Sequence, residues 1–231
     1  MDFLRTIQEA TPLLLEGIKM TVAISLLSII IGIIIGLITC FFAISKFRVL
    51  RGLSGAYVWI VRGTPMIVQA FIVYFGVPQL IQLMLTAMQI TDTVRISPFL
   101  AGVITLSLNA GAYLSEIFRS GINAVSRGQV EAARSLGLSH WRTMTKIVLP
   151  QAFKITLPSL VNQFIITIKD TSILSVIGLA DIVNRAKVYV GKSYQFFATY
   201  ILVAVYYLVV ISILMLVSKY LEKKVNYEHK S

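Results

Sequence analysis

The chain has 231 residues, of which 57% are hydrophobic and 13% are charged, and its formal net charge is +11. Soluble domains are about half apolar and about a quarter charged, so this composition excludes an ordinary soluble domain and favours a membrane protein with several spans. The excess of Lys and Arg is typical of the cytoplasmic loops of such proteins, and we therefore expect a lipid bilayer around the chain and no nucleic-acid partner.

The first predicted span covers about residues 20–44, and its apolar core contains no charged residue. About twenty apolar residues cross the hydrocarbon layer as a helix. Ser28, Gly32 and Gly36 recur every four residues, which places three small side chains on one face of this helix. Such a face permits the close approach of a second helix, either from this chain or from a second subunit.

The second predicted span covers about residues 65–84 and begins at Pro65, which suits the first turn of a helix. A short basic loop is expected before it, at Lys46, Arg48 and Arg51. Tyr57 and Trp59 are then expected at a membrane interface. Arg62 lies at the membrane edge if the span begins at Pro65, which we favour, but it is an intramembrane functional candidate if the span begins earlier.

The remaining predicted spans cover about residues 98–118, 157–179 and 196–217, so that the whole chain forms one transmembrane domain. A loop with Asp92 and Arg95 precedes the third span. A second loop precedes the fifth span and carries Asp181, Arg185, Lys187 and Lys192. The predicted fold class is therefore all-α and polytopic, with five transmembrane helices.

Five spans place the two ends of the chain on opposite sides of the membrane. The side that holds the C-terminal tail and residues 127–150 collects most of the cations, so the positive-inside rule predicts that this side is cytoplasmic and the N-terminus outside. The loop at residues 185–192 is more basic than an outside loop should be, and topology alone does not explain it.

The polar, basic segment at residues 127–150 interrupts the apolar chain and is predicted to form two short helices. The first, Gly128 to Leu136, ends at Gly137, a suitable helix C-cap. Ser139 can cap the second, His140 to Val148, which Pro150 is expected to end.

We expect Ala132, Ala133 and Leu136 to form the apolar side of this two-helix segment. The segment could dock onto another protein, or it could lie on lipid headgroups as an interfacial amphipathic helix, which the neighbouring cations would also suit. Its residue chemistry alone favours neither function.

The same segment matches a known signature: E-A-A, three residues, G, nine residues, I, one residue, L-P. Here these positions are Glu131-Ala132-Ala133, Gly137, Ile147 and Leu149-Pro150. In this it resembles the inner-membrane permeases of bacterial ABC importers. Further matches indicate the branch of that family that takes up polar amino acids; they are Arg62-Gly63-Thr64-Pro65 with Gln69, Ala112-Tyr113-Leu114-Ser115-Glu116, Gly128-Gln129, Leu149-Pro150-Gln151-Ala152 and Lys169-Asp170-Thr171-Ser172.

The resemblance implies a transport subunit in the bacterial cytoplasmic membrane that is not itself an enzyme. It implies a second permease copy, either identical or a close paralogue, two cytoplasmic ATPase subunits and an extracytoplasmic substrate-binding protein. The segment becomes a coupling helix that docks on the ATPase through Glu131, Ala132, Ala133, Leu136 and Gly137. ATP and Mg²⁺ are then bound by the ATPase, which fits the absence of a G-x-x-x-x-G-K-[ST] phosphate loop from this sequence.

An amino acid that crosses the membrane needs partners for its carboxylate and its ammonium, and polar residues inside spans usually face a cavity. The candidates for substrate binding are Asn109, Tyr113, Glu116, Lys169, Asp170 and Thr171. Asn109, Tyr113 and Glu116 share one helix face. Lys169 and Asp170 are adjacent, so each is expected to pair with another helix or subunit rather than with its neighbour. The acids favour a basic amino acid such as arginine as substrate, but Ser115-Glu116 and Lys169-Asp170 resemble features of the whole branch, so glutamine, glutamate and cystine stay as alternatives.

The sequence fits two other functions less well. A stand-alone secondary transporter or channel often contains inverted repeats, which this sequence does not show convincingly. An intramembrane hydrolase needs a nucleophile with a base or a set of metal ligands. The single cysteine, Cys40, and the distant histidines His140 and His229 predict neither a metal site nor an internal disulfide.

Overall fold

The computed structural model describes residues 3–90 and 93–228, so Asp92 of the predicted loop and His229 and Lys230 of the tail lie outside the described residues. The described residues form helices joined by short connections. Five segments are long and apolar enough to cross a membrane: Phe3–Ala43, Met66–Ala87, Pro98–Ala124, His140–Ile177 and Phe196–Lys224. The predicted all-α class with five candidate spans is therefore confirmed.

The helices follow one another closely along the chain. They are α1 (Phe3–Ala43), α2 (Arg48–Gly63), α3 (Met66–Phe71), α4 (Val77–Ala87), α5 (Pro98–Ala124), α6 (Arg127–Ser135), α7 (His140–Thr143), α8 (Leu149–Asp170), α9 (Ile182–Ser193) and α10 (Phe196–Glu228). Two π-helical turns, Ile72–Gly76 and Met144–Val148, join α3 to α4 and α7 to α8, and a 3₁₀ turn, Thr171–Ile177, follows α8.

Helices α1 and α5 form the centre of the fold, and small residues bring them together. A Cβ atom added at Gly36 would lie 2.8 Å from the Cβ of Leu114, and one added at Gly32 would lie 3.1 Å from the Cβ of Ala110. The close approach predicted from Ser28, Gly32 and Gly36 is thus confirmed, and the second helix is α5 of the same chain. Helix α1 has 41 residues and is about 60 Å long, so it extends well beyond a ~30 Å hydrocarbon layer.

Both π-helical turns precede a proline in the first turn of the next helix, Pro78 in α4 and Pro150 in α8. A proline lacks the N–H of the helical ladder, and its ring clashes with a carbonyl one turn earlier. A locally wider turn accommodates that ring without ending the helix. The expectation that Pro150 ends the second helix of the polar segment is therefore wrong: the helical segment continues from His140 to Ile177.

The basic segment before the fifth span is a helix, α9, and not the predicted loop. The buried Asp181 caps it, because its carboxylate accepts hydrogen bonds from the N–H groups of Asn184 (3.0 Å) and Val183 (3.2 Å). Two of its three cations contact the rest of the fold. Arg185 pairs with Glu16 of α1 at 3.3 Å, and Lys187 donates a hydrogen bond to Ser175 at 2.8 Å.

A prediction follows from the close packing of α9 on α1. A Cβ added at Gly17 would lie 2.5 Å from the Cα of Ile182, and backbone cannot move away as a side chain can. We expect Gly17→Ala to lower the free energy of unfolding by about 1–3 kcal/mol, as overpacking does. Gly52→Ala is the matched control, since nothing lies within 4 Å of its Cβ position. Thermal unfolding in detergent compares the two, and equal transitions would contradict the close contact.

A second prediction concerns pH. Burial raises the pKa of Asp181 to about 6. The folded state therefore binds this proton more tightly than the unfolded chain, where the pKa is near 4, and the free energy of unfolding falls as the pH rises from about 4 to about 6. Asp181→Asn keeps a capping oxygen and removes the buried charge, so we expect it to be at least as stable as the unchanged chain at pH 7.5.

Asp181→Ala is the matched variant, because it removes the charge and the cap together. Loss of an N-cap costs about 1 kcal/mol, so this variant should unfold at a lower temperature than Asp181→Asn at both pH 5 and pH 7.5. Thermal unfolding of the two variants at both pH values measures the difference. Identical curves for Asn and Ala would show that the cap contributes nothing.

Candidate functional site: a polar cavity at a broken helix

Helix α2 occupies the region where a short basic loop was predicted, and it lies against the middle of α5. The hydroxyl of Tyr57 donates a hydrogen bond to the carbonyl of Leu108, which is near the middle of the 27-residue α5. The guanidinium of Arg62 lies 5.0 Å from the centre of the Tyr113 ring. Tyr57 and Arg62 precede the second candidate span, which begins at Met66, yet both contact α5 inside its own candidate span.

Helices α2 and α3 are two parts of a broken helix, and Gln69 holds the break together. The break lies at Thr64 and Pro65, whose backbone is extended. The side-chain amide of Gln69 donates to the carbonyls of Val61 (2.7 Å) and Thr64 (3.0 Å) and to the hydroxyl of Thr64 (2.9 Å). Carbonyl groups at a helix end have no partner within the helix, so Gln69 satisfies those that the break exposes.

The same Gln69 links the break to α5. Its carbonyl oxygen accepts a hydrogen bond from the amide of Asn109 at 3.2 Å. Asn109 is 8% exposed and Gln69 is half-buried, so this contact is partly buried. One glutamine side chain therefore fixes the broken helix against the middle of α5.

A cavity of about 390 Å³ opens beside the break, between the start of α3, the middle of α5 and the end of α8. Its lining consists of Thr64, Pro65, Met66, Asn109, Tyr113, Gln163, Ile166 and Asp170. Asp170 forms neither an ion pair nor a side-chain hydrogen bond within the described residues, so its carboxylate is available to a ligand. The cavity combines a carboxylate, amides and hydroxyls, and Arg62 lies behind the Tyr113 ring.

The structure brings together three of the six predicted substrate residues, Asn109, Tyr113 and Asp170. It separates the others from this cavity. Glu116 points to a different cavity and pairs with Arg119 at 2.6 Å. Lys169 is exposed and does not line the cavity.

Thr171, the sixth candidate, is fully buried, and its hydroxyl donates to the carbonyl of Ile168 at 2.7 Å. Thr64 and Gln163 line the cavity but were not among the predicted site residues, and neither were Arg62 and Gln69 beside it. Gln163 could have been selected as a polar residue inside an apolar span. Arg62, Thr64 and Gln69 belong to a matched motif, but only the folded chain shows that they meet α5.

The two-helix segment at residues 127–150 is a second candidate site. Gly137 ends α6 with φ +82°, a conformation that favours glycine, and the N–H of Leu138 closes the turn on the carbonyl of Ala133 at 3.1 Å. Ser139 caps α7 by accepting a hydrogen bond from the N–H of Arg142 at 3.3 Å. These two predicted caps are confirmed.

The residues of the predicted apolar side of this segment do not all face the same way. Ala133 is buried, whereas Leu136 is 81% exposed and the nearby Trp141 is 74% exposed. A cluster of Val125, Val148 and Ala152 fixes the base of the segment to α5 and α8. Two large apolar side chains thus project from this support and are left mostly uncovered by the described residues.

Comparisons with known proteins agree with these features. Residues 28–227 match the family model "Binding-protein-dependent transport system inner membrane component". The chain is 39% identical to the arginine transport system permease protein ArtQ of Bacillus subtilis (strain 168) over 97% of each chain. It is 36% identical to the glutamine transport system permease protein GlnP of Escherichia coli (strain K12) over 94% of each.

Among solved structures, the chain is similar to one described as the crystal structure of an amino acid ABC transporter with histidines. The TM-score is 0.86 and the sequence identity 35%, over 97% of this chain and 99% of the other. A family model that covers most of the chain, together with relatives that align from end to end, leaves one assignment. The chain belongs to the family of inner-membrane components of binding-protein-dependent transport systems.

Proposed function

We propose that this chain is the permease subunit of an ATP-driven importer of polar amino acids, and that the cavity beside the broken helix binds the amino acid during transport. The observation that carries the proposal is this cavity, in which Asp170, Asn109 and Tyr113 meet next to Arg62. A carboxylate that lacks an internal partner suits the ammonium of an amino acid. The amide of Gln163 and the hydroxyl of Tyr113, which also line the cavity, can donate hydrogen bonds to its carboxylate.

The relatives support an amino-acid substrate but differ in which one, because one is named for arginine and another for glutamine. We favour a basic amino acid such as arginine, since the described cavity lining contains the carboxylate of Asp170 and no cation. A cationic side chain would find its countercharge there.

The partners follow from the family and from the two ends of the molecule. We place two ATPase subunits at the cytoplasmic segment, where ATP and Mg²⁺ are bound by the ATPase alone. The exposed Leu136 and Trp141 would enter an apolar groove of that partner. A second permease, identical or closely related, completes the membrane part, and its pairing would enclose cavities that are open in one chain.

The opposite end would receive the substrate-binding protein. There α9 and the first turns of α1 enclose a polar groove of about 570 Å³ lined by Arg5, Thr6, Glu9, Tyr189, Lys192, Ser193 and Gln195. We therefore place the N-terminus outside and the C-terminal tail in the cytoplasm. This orientation agrees with the positive-inside rule.

The mechanism we propose is alternating access driven from the cytoplasmic side. Closure of the ATPase pair on ATP would pull the two cytoplasmic segments together, and each segment would move the base of α5 and α8, to which Val125, Val148 and Ala152 fix it. The binding free energy of ATP thereby shifts a two-state equilibrium of the spans. The break at Thr64 and Pro65 lies where such a movement would change access to the cavity.

The complete transporter in proteoliposomes tests the proposal. With the binding protein added, arginine should stimulate ATP hydrolysis and be taken up. Asp170→Asn should lower uptake at least about tenfold, which corresponds to ~1.4 kcal/mol of lost interaction. Glu222→Gln is the matched carboxylate-to-amide control in the exposed end of α10 and should leave uptake unchanged.

Two results would contradict the proposal at different levels. Stimulation by glutamate but not by arginine would overturn the preference for basic amino acids and leave amino-acid import intact. Normal uptake by the Asp170→Asn transporter would show that the cavity does not bind the amino acid during transport.

A further inference from the structure

A second polar cavity lies between α2 and α5. It is one helical turn nearer the segment at residues 127–150 (the cytoplasmic segment) than the cavity beside the broken helix (the central cavity). Its volume is about 330 Å³. Its lining consists of Ala43, Arg51, Ser54, Gly55, Val58, Trp59, Ser115, Glu116 and Arg119. One part of the lining is therefore charged, at Arg51, Glu116 and Arg119, and another part is apolar, at Val58 and Trp59.

The charges of this cavity are incompletely balanced. Glu116 and Arg119 face each other on α5 and form two hydrogen bonds, at 2.6 and 3.2 Å. Arg51 of α2 lines the same cavity but forms no ion pair with any described residue. One carboxylate thus stands beside two guanidinium groups, and a ligand that carries both a cation and an anion could satisfy all three.

The position of the cavity connects it to the central one. Tyr113 lines the central cavity, Glu116 and Arg119 line this one, and the three residues follow one another at intervals of three along α5. On α2, Arg51, Gly55, Val58 and Arg62 lie on one face at helical spacing, and Arg62 meets Tyr113. The two cavities therefore lie one after the other along the same faces of α2 and α5.

We propose that this cavity is a second, weaker binding site for the transported amino acid, occupied as it leaves towards the cytoplasm. The Glu116 carboxylate would bind the ammonium of the amino acid, and Arg51 with Arg119 would bind its carboxylate. The inference rests on the proposed function, since it assumes that an amino acid moves from one cavity to the other. The proposal assigns Glu116 to this second site. The sequence had predicted it to bind substrate together with Asn109 and Tyr113.

The composition of the cavity favours a zwitterion over the phosphate of an anionic lipid. Glu116 would repel a phosphate group placed between the two arginines, whereas it attracts an ammonium. The internal pair of Glu116 with Arg119 must open for a ligand to bind, which weakens the site. Weak binding is what an exit site requires, because the amino acid must be released.

Two glycines of α2 allow a matched test. Gly55 lines the cavity and Gly52 does not, and in both cases a Cβ atom would meet nothing within 4 Å. We would introduce Gly55→Cys or Gly52→Cys into the complete transporter in nanodiscs and measure the rate of alkylation by a small charged thiol reagent. The native Cys40 is 2% exposed, and the unchanged chain gives its background rate.

We expect L-arginine to slow the labelling of Gly55→Cys several-fold and to leave Gly52→Cys unaffected. Agmatine, which is arginine without its carboxylate, should protect much less. Adding Glu116→Gln should abolish the protection at position 55 while thermal unfolding of the complex stays unchanged. ATP-driven uptake of the same amino acids by the Gly55→Cys transporter, measured in parallel, reports on the proposed function separately.

Three results would overturn the inference. One is uptake of arginine or glutamine without protection of Gly55→Cys by either. Another is equal protection by agmatine. The third is protection by phosphatidylglycerol in the nanodisc but not by an amino acid, which would make the cavity a lipid site. Absence of uptake would instead count against the proposed function.

Discussion

Replacement of Leu136 by Asp is expected to prevent the ATPase from binding and to abolish ATP-driven uptake, while the permease remains folded. Leu136 is 81% exposed, so the packing of the described residues depends little on it. In the proposed complex its side chain is buried in an apolar groove, where it contributes about 2 kcal/mol. An aspartate would lose that contribution and would also bring an unpaired charge into the interface. We expect the ATPase affinity to fall by at least ~30-fold.

Leu136→Met is the matched control, because methionine keeps an apolar side chain of similar volume at the same position. Co-purification with the ATPase and uptake into proteoliposomes should be close to normal for Met and absent for Asp. Thermal unfolding of the isolated permease should be the same for both. If Leu136→Asp still binds the ATPase normally, the exposed end of the segment is not the docking surface and the lipid-surface alternative regains support.

Replacement of Gln69 by Leu is expected to be the most damaging single change near the central cavity. It removes the donor that satisfies the carbonyls of Val61 and Thr64 and the acceptor for Asn109. A polar group that loses its partner costs about 1–3 kcal/mol when it is fully buried, and the bonds of Gln69 to Val61 and Asn109 are partly buried. We expect a lower unfolding temperature together with loss of uptake.

Gln79→Leu provides the matched control for this change. Gln79 lies in the second half of the same broken helix, is exposed, and makes no side-chain hydrogen bond with the described residues. The same substitution there should leave both the unfolding temperature and uptake unchanged. If Gln69→Leu transports normally, the network at the break does not position the cavity, and Asn109 would have to be held by other contacts.

The two variants separate the two halves of the proposed mechanism. Leu136→Asp interrupts the transfer of movement from the ATPase, yet the isolated permease should still bind an amino acid. Gln69→Leu leaves the docking surface intact, so the ATPase should bind, but its hydrolysis should no longer move substrate. Uncoupled hydrolysis in the second variant and absent hydrolysis in the first would distinguish coupling from substrate positioning.

Local sequence patterns determined much of the fold because the forces involved are local. Apolar runs long enough to cross a bilayer predicted the five candidate spans, and the spacing of Gly32 and Gly36 predicted a close helix contact. Gly137 and Ser139 predicted two caps, since each depends on backbone within a few residues. The match around Glu131 indicated the family, and the family model confirmed it.

Tertiary packing decided what local patterns could not. Hydropathy assigned Arg62 and Tyr57 to the membrane edge, but their contacts with Tyr113 and Leu108 hold them against the middle of α5. Proline statistics predicted a helix end at Pro150, but a π-helical turn absorbs the ring and the helix continues. In the first case, contacts with a neighbouring helix determine the positions of the side chains. In the second, a small change of helical geometry removes the clash of the proline ring.

The polar residues of α5 also show what the sequence predicts and what only packing decides. Helical periodicity correctly placed Asn109, Tyr113 and Glu116 on one face of α5. It could not show that the neighbouring helices divide that face into two cavities, because the position of α2 depends on the break that Gln69 holds. The sequence by itself thus determined the class, the family and the candidate polar residues of this protein. Only the packing of α2 and α8 on α5 decided which of those residues can meet one ligand.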